Sequence, residues 1–351
     1  MLPPMISKLF VTAAICVTAC VAPVSAEEVP RLKPIGVIGV TGDILGKKGK
    51  AAKDVSGMAC MPGDSAEKLC VLVNDENSGA QFVRLAGATL RPGKVNPLIG
   101  GKAPADAFGQ PPEPSCGKEK KFAEFDGEGV AFGDGHFYVV SSHGCSRNSE
   151  GYRLSSFLLA RFRAYPDQLP SGAELTYRVS DVLAAAKSAG SRFGKALDAG
   201  SNGLNIEGIA FVARKLWFGL RAPVDGSNAY LIGVGAAELF APGNARWQGQ
   251  PDVVALALGE RRGIRDLTAL PDGRLLVLSG PAQEQKLDYR LHIVDPAKPD
   301  TLRTIGIVDA PKKGKAEVVT VLQENGGELV VAVLFDGVKN GGGALYRIRI
   351  R

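Results

Sequence analysis

Five stretches of this chain repeat one design, and that repetition restricts the fold more than any other feature. They are DVSGMACMPGDSAEKLCVLVND from Asp54, DGEGVAFGDGHFYVVSSH from Asp126, NIEGIAFVARKLWFGLR from Asn205, IRDLTALPDGRLLVLSG from Ile264 and KAEVVTVLQENGGELVVAVLFD from Lys315. Each sets a polar or acidic residue before a short apolar strand, then a turn rich in Gly, Asp or Asn, then a longer β-rich strand. Further apolar runs follow the hairpins, such as SFLLARFR and ELTYRVS after the second and AYLIGV and DVVALAL after the third. The repeating unit is therefore four strands.

Repeated four-stranded antiparallel units point to an all-β fold, the β-propeller. The fifth unit supplies only three strands before the sequence stops, the last being ALYRIRI, while LKPIGVIGV near the start has no hairpin partner. We expect five blades, with that N-terminal strand closing the last one and removing a reactive sheet edge. Six blades are the alternative, if segment 95–125 or 164–204 hides a degenerate unit. Helix is expected only at DVLAAAKSA, with Ser180 as its N-cap.

Residues 1–26 read as an export signal: a Lys, then LFVTAAICVTACVA, then PVSA before Glu27. A rival reading takes Val17-Thr18-Ala19-Cys20 as a lipoprotein box with a lipid anchor at Cys20. Residues 27–351 are then a single propeller domain, periplasmic or secreted, expected to be a monomer. No other stretch is apolar enough for a transmembrane span. The 42 Lys and Arg against 36 Asp and Glu are scattered, which argues against nucleic acid as a partner. Past the signal, four cysteines remain, and an oxidising compartment favours disulfides. Three pairings are open; Cys60 and Cys70 flank one turn, which suits a hairpin pair and leaves Cys116 with Cys145.

Aligning the repeats puts Ser56, Glu128, Glu207, Asp266 and Glu317 in one column. In a propeller the first strands line the axis, so this column converges on one channel mouth, beside Asp75, His143, Arg221, Ser279 and Asp336 at the ends of the second strands. The candidate ligand-binding residues are Asp126, Glu128, His143, Asn205, Glu207, Arg221, Arg265, Asp266 and Glu317. Carboxylates so close need a cation, a guanidinium or a raised pKa. A metal, Ca²⁺ by its preference for oxygen, would fall to Asp126, Glu128, Glu207 and Asp266. The partner is then a small anionic molecule or a metal ion. An enzymatic version is a hydrolase of esters or phosphoesters, with Glu128, Glu207 and His143 as catalytic candidates. The alternative is a non-catalytic envelope binding or scaffold protein, in which Glu–Arg pairs lock neighbouring blades.

At these residues the sequence resembles a known family. DGEGVAF with SSH, NIEGIAF with GLRAPVDGSNA, and GIRDLTALPDGRLLVLSGP together resemble the bacterial domain-of-unknown-function family DUF3616, over roughly residues 50–350. The resemblance implies an exported β-propeller-like protein and transfers no catalytic residue. A more distant likeness is to esterase-like phytase propellers, which share the acid-Gly-apolar-Ala opening. Ser56 and Val318 depart from the shared acid and glycine.

Overall fold

The computed structural model describes residues 28–63, 65–147, 151–163 and 172–350, with Met1 and Tyr165. The expected export signal and the alternative anchor at Cys20 lie outside the described residues.

Each repeat hairpin forms the two inner strands of one antiparallel blade. Blade I runs Val55–Cys60, Glu67–Asn74, Gly79–Ala86 and Thr89–Pro97. Blade II runs Gly127–Gly133, His136–Ser141, Leu159–Arg163 and Glu174–Thr176. Blade III runs Asn205–Val212, Lys215–Ala222, Asn228–Gly235 and Asp252–Ala257. Blade IV runs Arg262–Ala269, Leu275–Pro281, Tyr289–Asp295 and Lys298–Val308. Blade V has Lys315–Asn325, Glu328–Asp336 and Ala344–Arg349, and its fourth strand is the N-terminal Pro34–Val37. Neighbouring inner strands pack on one another, and the fifth packs on the first, so the ring is closed.

The closure goes further than one shared strand. Pro34–Val37 pairs with Ala344–Tyr346 of blade V, and two residues later Gly39–Val40 pairs in parallel with Thr89–Leu90 of blade I. One short segment thus ties the last blade to the first and covers both outer edges, which limits edge-to-edge association.

Among the described residues, segments 95–125 and 164–204 hold no sixth blade. The first contributes Lys118–Lys120, paired in parallel with Gly151–Arg153. The second supplies the outer strand of blade II and two short helices, Arg178–Ala184 and Lys187–Gly190. Ser180 is inside the first helix rather than at its N-cap; Thr176 Oγ1 instead accepts the Arg178 amide at 3.1 Å. The helix starts earlier than expected because Val179, Val182 and Leu183 bury one apolar stripe against blade III side chains, and packing overrides the local capping signal. Cys60 is bonded to Cys70 across the blade I hairpin, and Cys116 to Cys145, tethering the Pro-rich loop.

Glycine after the bulged residue in three repeats, Ser56, Glu128 and Glu207, lets inner strands approach across blades. A Cβ on Gly57 would lie 2.7 Å from Gly129 Cα, and one on Gly208 would lie 2.8 Å from the Leu267 amide nitrogen. Such contacts are within van der Waals radii, so a side chain there would push blades apart.

Candidate functional site

Every inner strand carries a β-bulge near its start, and the bulge is what builds the mouth. Register skips one residue between Val55 and Gly57, Gly127 and Gly129, Ile206 and Gly208, Ile264 and Asp266, and Ala316 and Val318. The skipped residues are Ser56, Glu128, Glu207, Arg265 and Glu317. A bulge takes a residue out of the ladder and re-aims its side chain. Blade IV therefore contributes Arg265 to the column where the alignment of repeats puts Asp266. Asp266 moves to the glycine position. Its carboxylate accepts the Leu267 amide at 2.8 Å and the Val319 amide of blade V at 2.7 Å, which makes it an inter-blade staple. Burial pushes its pKa well above the usual carboxylate range, against the pull of those two amides.

The substitution of Arg for acid in one blade explains how the ring tolerates its charge. Arg221 Nη1 donates to Glu207 Oε1 at 2.7 Å. Arg265 lies 3.2 Å from the other oxygen of Glu207 and grips Glu317 with two donors, Nε at 2.8 Å from Oε2. The chain Arg221–Glu207–Arg265–Glu317 spans blades III, IV and V. It is nearly dry: the Arg265, Glu207 and Glu317 side chains are 4%, 6% and 6% exposed. Burial alone would raise Glu207, but Arg265 and Arg221 outweigh it and hold its pKa below the usual value. Burial pushes Glu317 up to about 7, because Arg265 divides its charge with Glu207. Burial would lower Arg265, and the two carboxylates more than reverse that.

The other side of the mouth has carboxyl groups without guanidinium partners. Glu128 is partly buried and has no ion pair or hydrogen bond among the described residues. Burial first, then Glu207, Asp126, Asp75 and Glu317, push its pKa well up. Asp75 is raised to about 9 by burial first, then by the neighbouring Asp126 and Asp54. Asp75 Oδ1 and Asp54 Oδ2 are buried with no hydrogen-bond partner among the described residues. Asp126, at φ 60°, accepts a hydrogen bond from Ser142 Oγ and is raised by burial against that bond. Asp336 is paired with Lys315 at 3.1 Å. Among the described residues no three His, Cys, Asp or Glu side chains gather as a metal-ligand group.

This acidic side costs stability, with a defined pH dependence. Asp75 is raised from an ordinary 3.8 to about 9, so the folded chain holds a proton that the unfolded chain has lost between those pH values. The contribution of Asp75 is fully favourable below pH 3.8 and is lost as pH rises through about 9. Asp75→Asn is expected to stabilise the protein by about 1–2 kcal/mol at pH 9 and by nearly nothing at pH 4. Thermal unfolding of both proteins at the two pH values checks this; an equal shift at both would remove the electrostatic cause.

His143 does not join the mouth. It is fully buried, its Nδ1 is 2.9 Å from the Ser141 carbonyl, its Nε2 has no partner, and it meets Phe157 edge-on. Burial pushes its pKa down to about 4, so it is neutral and walled off from solvent. The reason is local: φ at His143 is 48°, which turns the side chain back into blade II. Asn205 is buried at the start of its inner strand, paired in register with Ala222. His292 is also buried and neutral, between Ser279 Oγ at 2.7 Å and Thr304 Oγ1 at 3.0 Å, with its pKa pushed down to about 3 by burial.

Reading the sequence missed Arg147. It follows the Cys116–Cys145 tether, is 24% exposed at its side chain, and pairs with Glu284. Its pKa is lowered by burial and by the neighbouring Arg221, which puts it at the same mouth. No repeat position marks it, since it lies in an irregular loop. The opposite ends of the inner strands open on a cavity of ≈ 1220 Å³, with Met61, Phe132, Phe211, Leu270 and Leu322 in its wall. Charge and unpartnered polar groups concentrate at the first mouth, so that mouth is the candidate site.

Residues 172–340 match the model of the family described as "Protein of unknown function (DUF3616)". The likeness seen in the EGIAF and GIRDL blocks is thus supported over blades III and IV, the two inner strands of blade V and the segment before them. No curated protein matches the chain. Among solved structures it is similar to exo-β-1,3-galactanase of Phanerochaete chrysosporium with β-1,3-galactotriose, at 7% identity over 90% of this chain and 64% of that one, TM-score 0.45. A GH43 β-1,3-galactosidase gives 7% identity, 90% and 60% coverage and TM-score 0.47. Native arabinanase of Bacillus subtilis gives 11% identity, 85% and 95% coverage and TM-score 0.43. The chain spans less than two thirds of the galactanase and galactosidase chains. The five-blade fold rests on the strand pairing described above rather than on these likenesses.

Proposed function

We propose that the charged mouth binds a small anionic molecule, with Glu128 as the group that meets it. The observation carrying this reading is Glu128 itself: a bulge-aimed carboxyl among other carboxyls, unpaired, with its pKa pushed up so that it can donate a hydrogen bond to an oxyanion. The Arg–Glu chain beside it supplies rigid geometry and guanidinium dipoles held in fixed directions. A cation is the weaker occupant, since Glu207 and Glu317 already face guanidinium groups. A protonated carboxyl near neutral pH is also what a general acid needs, so an ester or phosphoester hydrolase is the catalytic form of the same site. The two disulfides fit an exported, periplasmic or secreted protein, which cell fractionation tests.

The experiment is a thermal-shift titration of the full chain against inorganic phosphate, sugar phosphates, dicarboxylates and Ca²⁺, followed by hydrolase assays on any hit. A ligand at 100 times its Kd stabilises by about 2.7 kcal/mol. Glu128→Met, which has no donor, is expected to abolish that shift while leaving unliganded stability equal or higher, whereas Glu128→Gln keeps a neutral donor and should keep most of it. A shift that survives Glu128→Met would refute the assignment. The scaffold reading is favoured by one observation, the dry ion-pair chain joining three blades. It gains if no anion or cation shifts the wild type.

A further inference from the structure

The loop after the second strand of blade IV is held where it can close the mouth. Its first two carbonyls are gripped from below: Pro281 by Arg265 Nη1 at 3.4 Å and Ala282 by Arg221 Nε at 2.9 Å. Two residues on, Glu284 meets Arg147. Arg147 comes from blade II and Glu284 from blade IV, so the pair bridges over blade III, above Glu207 and Arg221. The two partners are unequally committed. Arg147 is mostly buried at 24% exposure, whereas Glu284 is 77% exposed and has no other partner among the described residues. In the same loop, one residue before Glu284, Gln283 Nε2 is buried with no acceptor. A guanidinium held by one solvent-exposed carboxylate is arranged to exchange that carboxylate for another oxyanion.

We propose that Arg147 is the anion-taking residue of the mouth and that Glu284 occupies it in the empty state, so that a phosphate or carboxylate group on a ligand binds by displacing Glu284. The inference rests on reading the mouth as an anion site. It adds the residue that selects the anion and an internal competitor that sets the affinity. Glu284 is largely exposed and regains its hydration on leaving, so exchange carries little penalty. The Cys116–Cys145 bond fixes the chain two residues before Arg147, so the guanidinium stays at the mouth when Glu284 leaves.

The test is calorimetric titration of the full chain with inorganic phosphate at constant ionic strength, for wild type, Glu284→Gln, Arg147→Gln and Glu128→Met. Removing the competitor in Glu284→Gln is expected to tighten phosphate binding about 3- to 10-fold. Arg147→Gln is expected to weaken it at least about 10-fold. Equal binding by wild type, Glu284→Gln and Arg147→Gln, with loss in Glu128→Met, would overturn the role of Arg147 and leave the mouth reading standing. Absence of phosphate binding in all four overturns the inference, while a different ligand found in the thermal-shift titration would still leave the mouth reading in place.

Discussion

Arg265→Met is expected to destabilise the protein by about 3–5 kcal/mol. The substitution leaves Glu207 and Glu317 facing each other in a dry site, each having lost its shared counter-charge. Glu207 keeps Arg221, but Glu317 keeps nothing within ion-pair distance among the described residues. Chemical unfolding at pH 7 measures the loss. A companion variant separates electrostatics from packing. Replacing the network as a unit, with Arg221→Met, Glu207→Leu, Arg265→Met and Glu317→Met together, removes charges and partners at once, and apolar replacements of buried ion networks are often neutral or stabilising. The fourfold variant is therefore expected to recover at least half of the single-site loss. A single-site loss below about 1 kcal/mol would mean that water reaches these groups and that the chain of pairs does not lock the blades.

Arg178→Ala is the second large effect, and it has no carboxylate in it. The Arg178 side chain is buried, and its guanidinium faces the carbonyls of Glu238, Leu239, Ala241, Gly243 and Ala245, with Nε 2.9 Å from Ala245 O and Nη2 3.0 Å from Gly243 O. Those carbonyls belong to the short helix Ala236–Leu239 and the turn after it, where the backbone has no internal partners. One planar fork of N–H donors satisfies them all. Hydrogen bonds to a charged donor contribute about 1.5–3 kcal/mol each, and orphaned buried carbonyls add to the loss. About 3 kcal/mol or more is expected from urea unfolding, with faster proteolysis in the segment 240–250. Arg178→Lys should recover little, because an ammonium cannot reach along the whole turn. Near-complete rescue by Lys would show that charge alone, not the fork, holds the segment.

The blade count was legible because blades are a local matter. A hairpin's strands are close in sequence, their apolar runs alternate with turn residues, and the turn at Asp134–Gly135 shows the positive φ angles its residues favour. The shared strand followed from counting: three strands at one end and an orphan at the other. The mouth was legible in outline for the same reason, since the acid that opens each repeat must lie at one end of every inner strand. The helix at 178–184 was legible in kind but not in its start, which tertiary packing of Val179 and Leu183 decides.

What the amino-acid order alone determined is the radial arrangement: five hairpins, one end of each crowded with charge, and four cysteines of which Cys60 and Cys70 flank one turn. Only the tertiary structure decided which residue of each repeat faces the axis, because a bulge shifts the register by one without any mark in the pattern of apolar residues. That shift makes Arg265 the partner of two acids and turns Asp266 into a staple. It also decided that His143 is a buried neutral ring and that Arg147 reaches the mouth, since burial and proximity across blades depend on contacts between residues far apart in the chain.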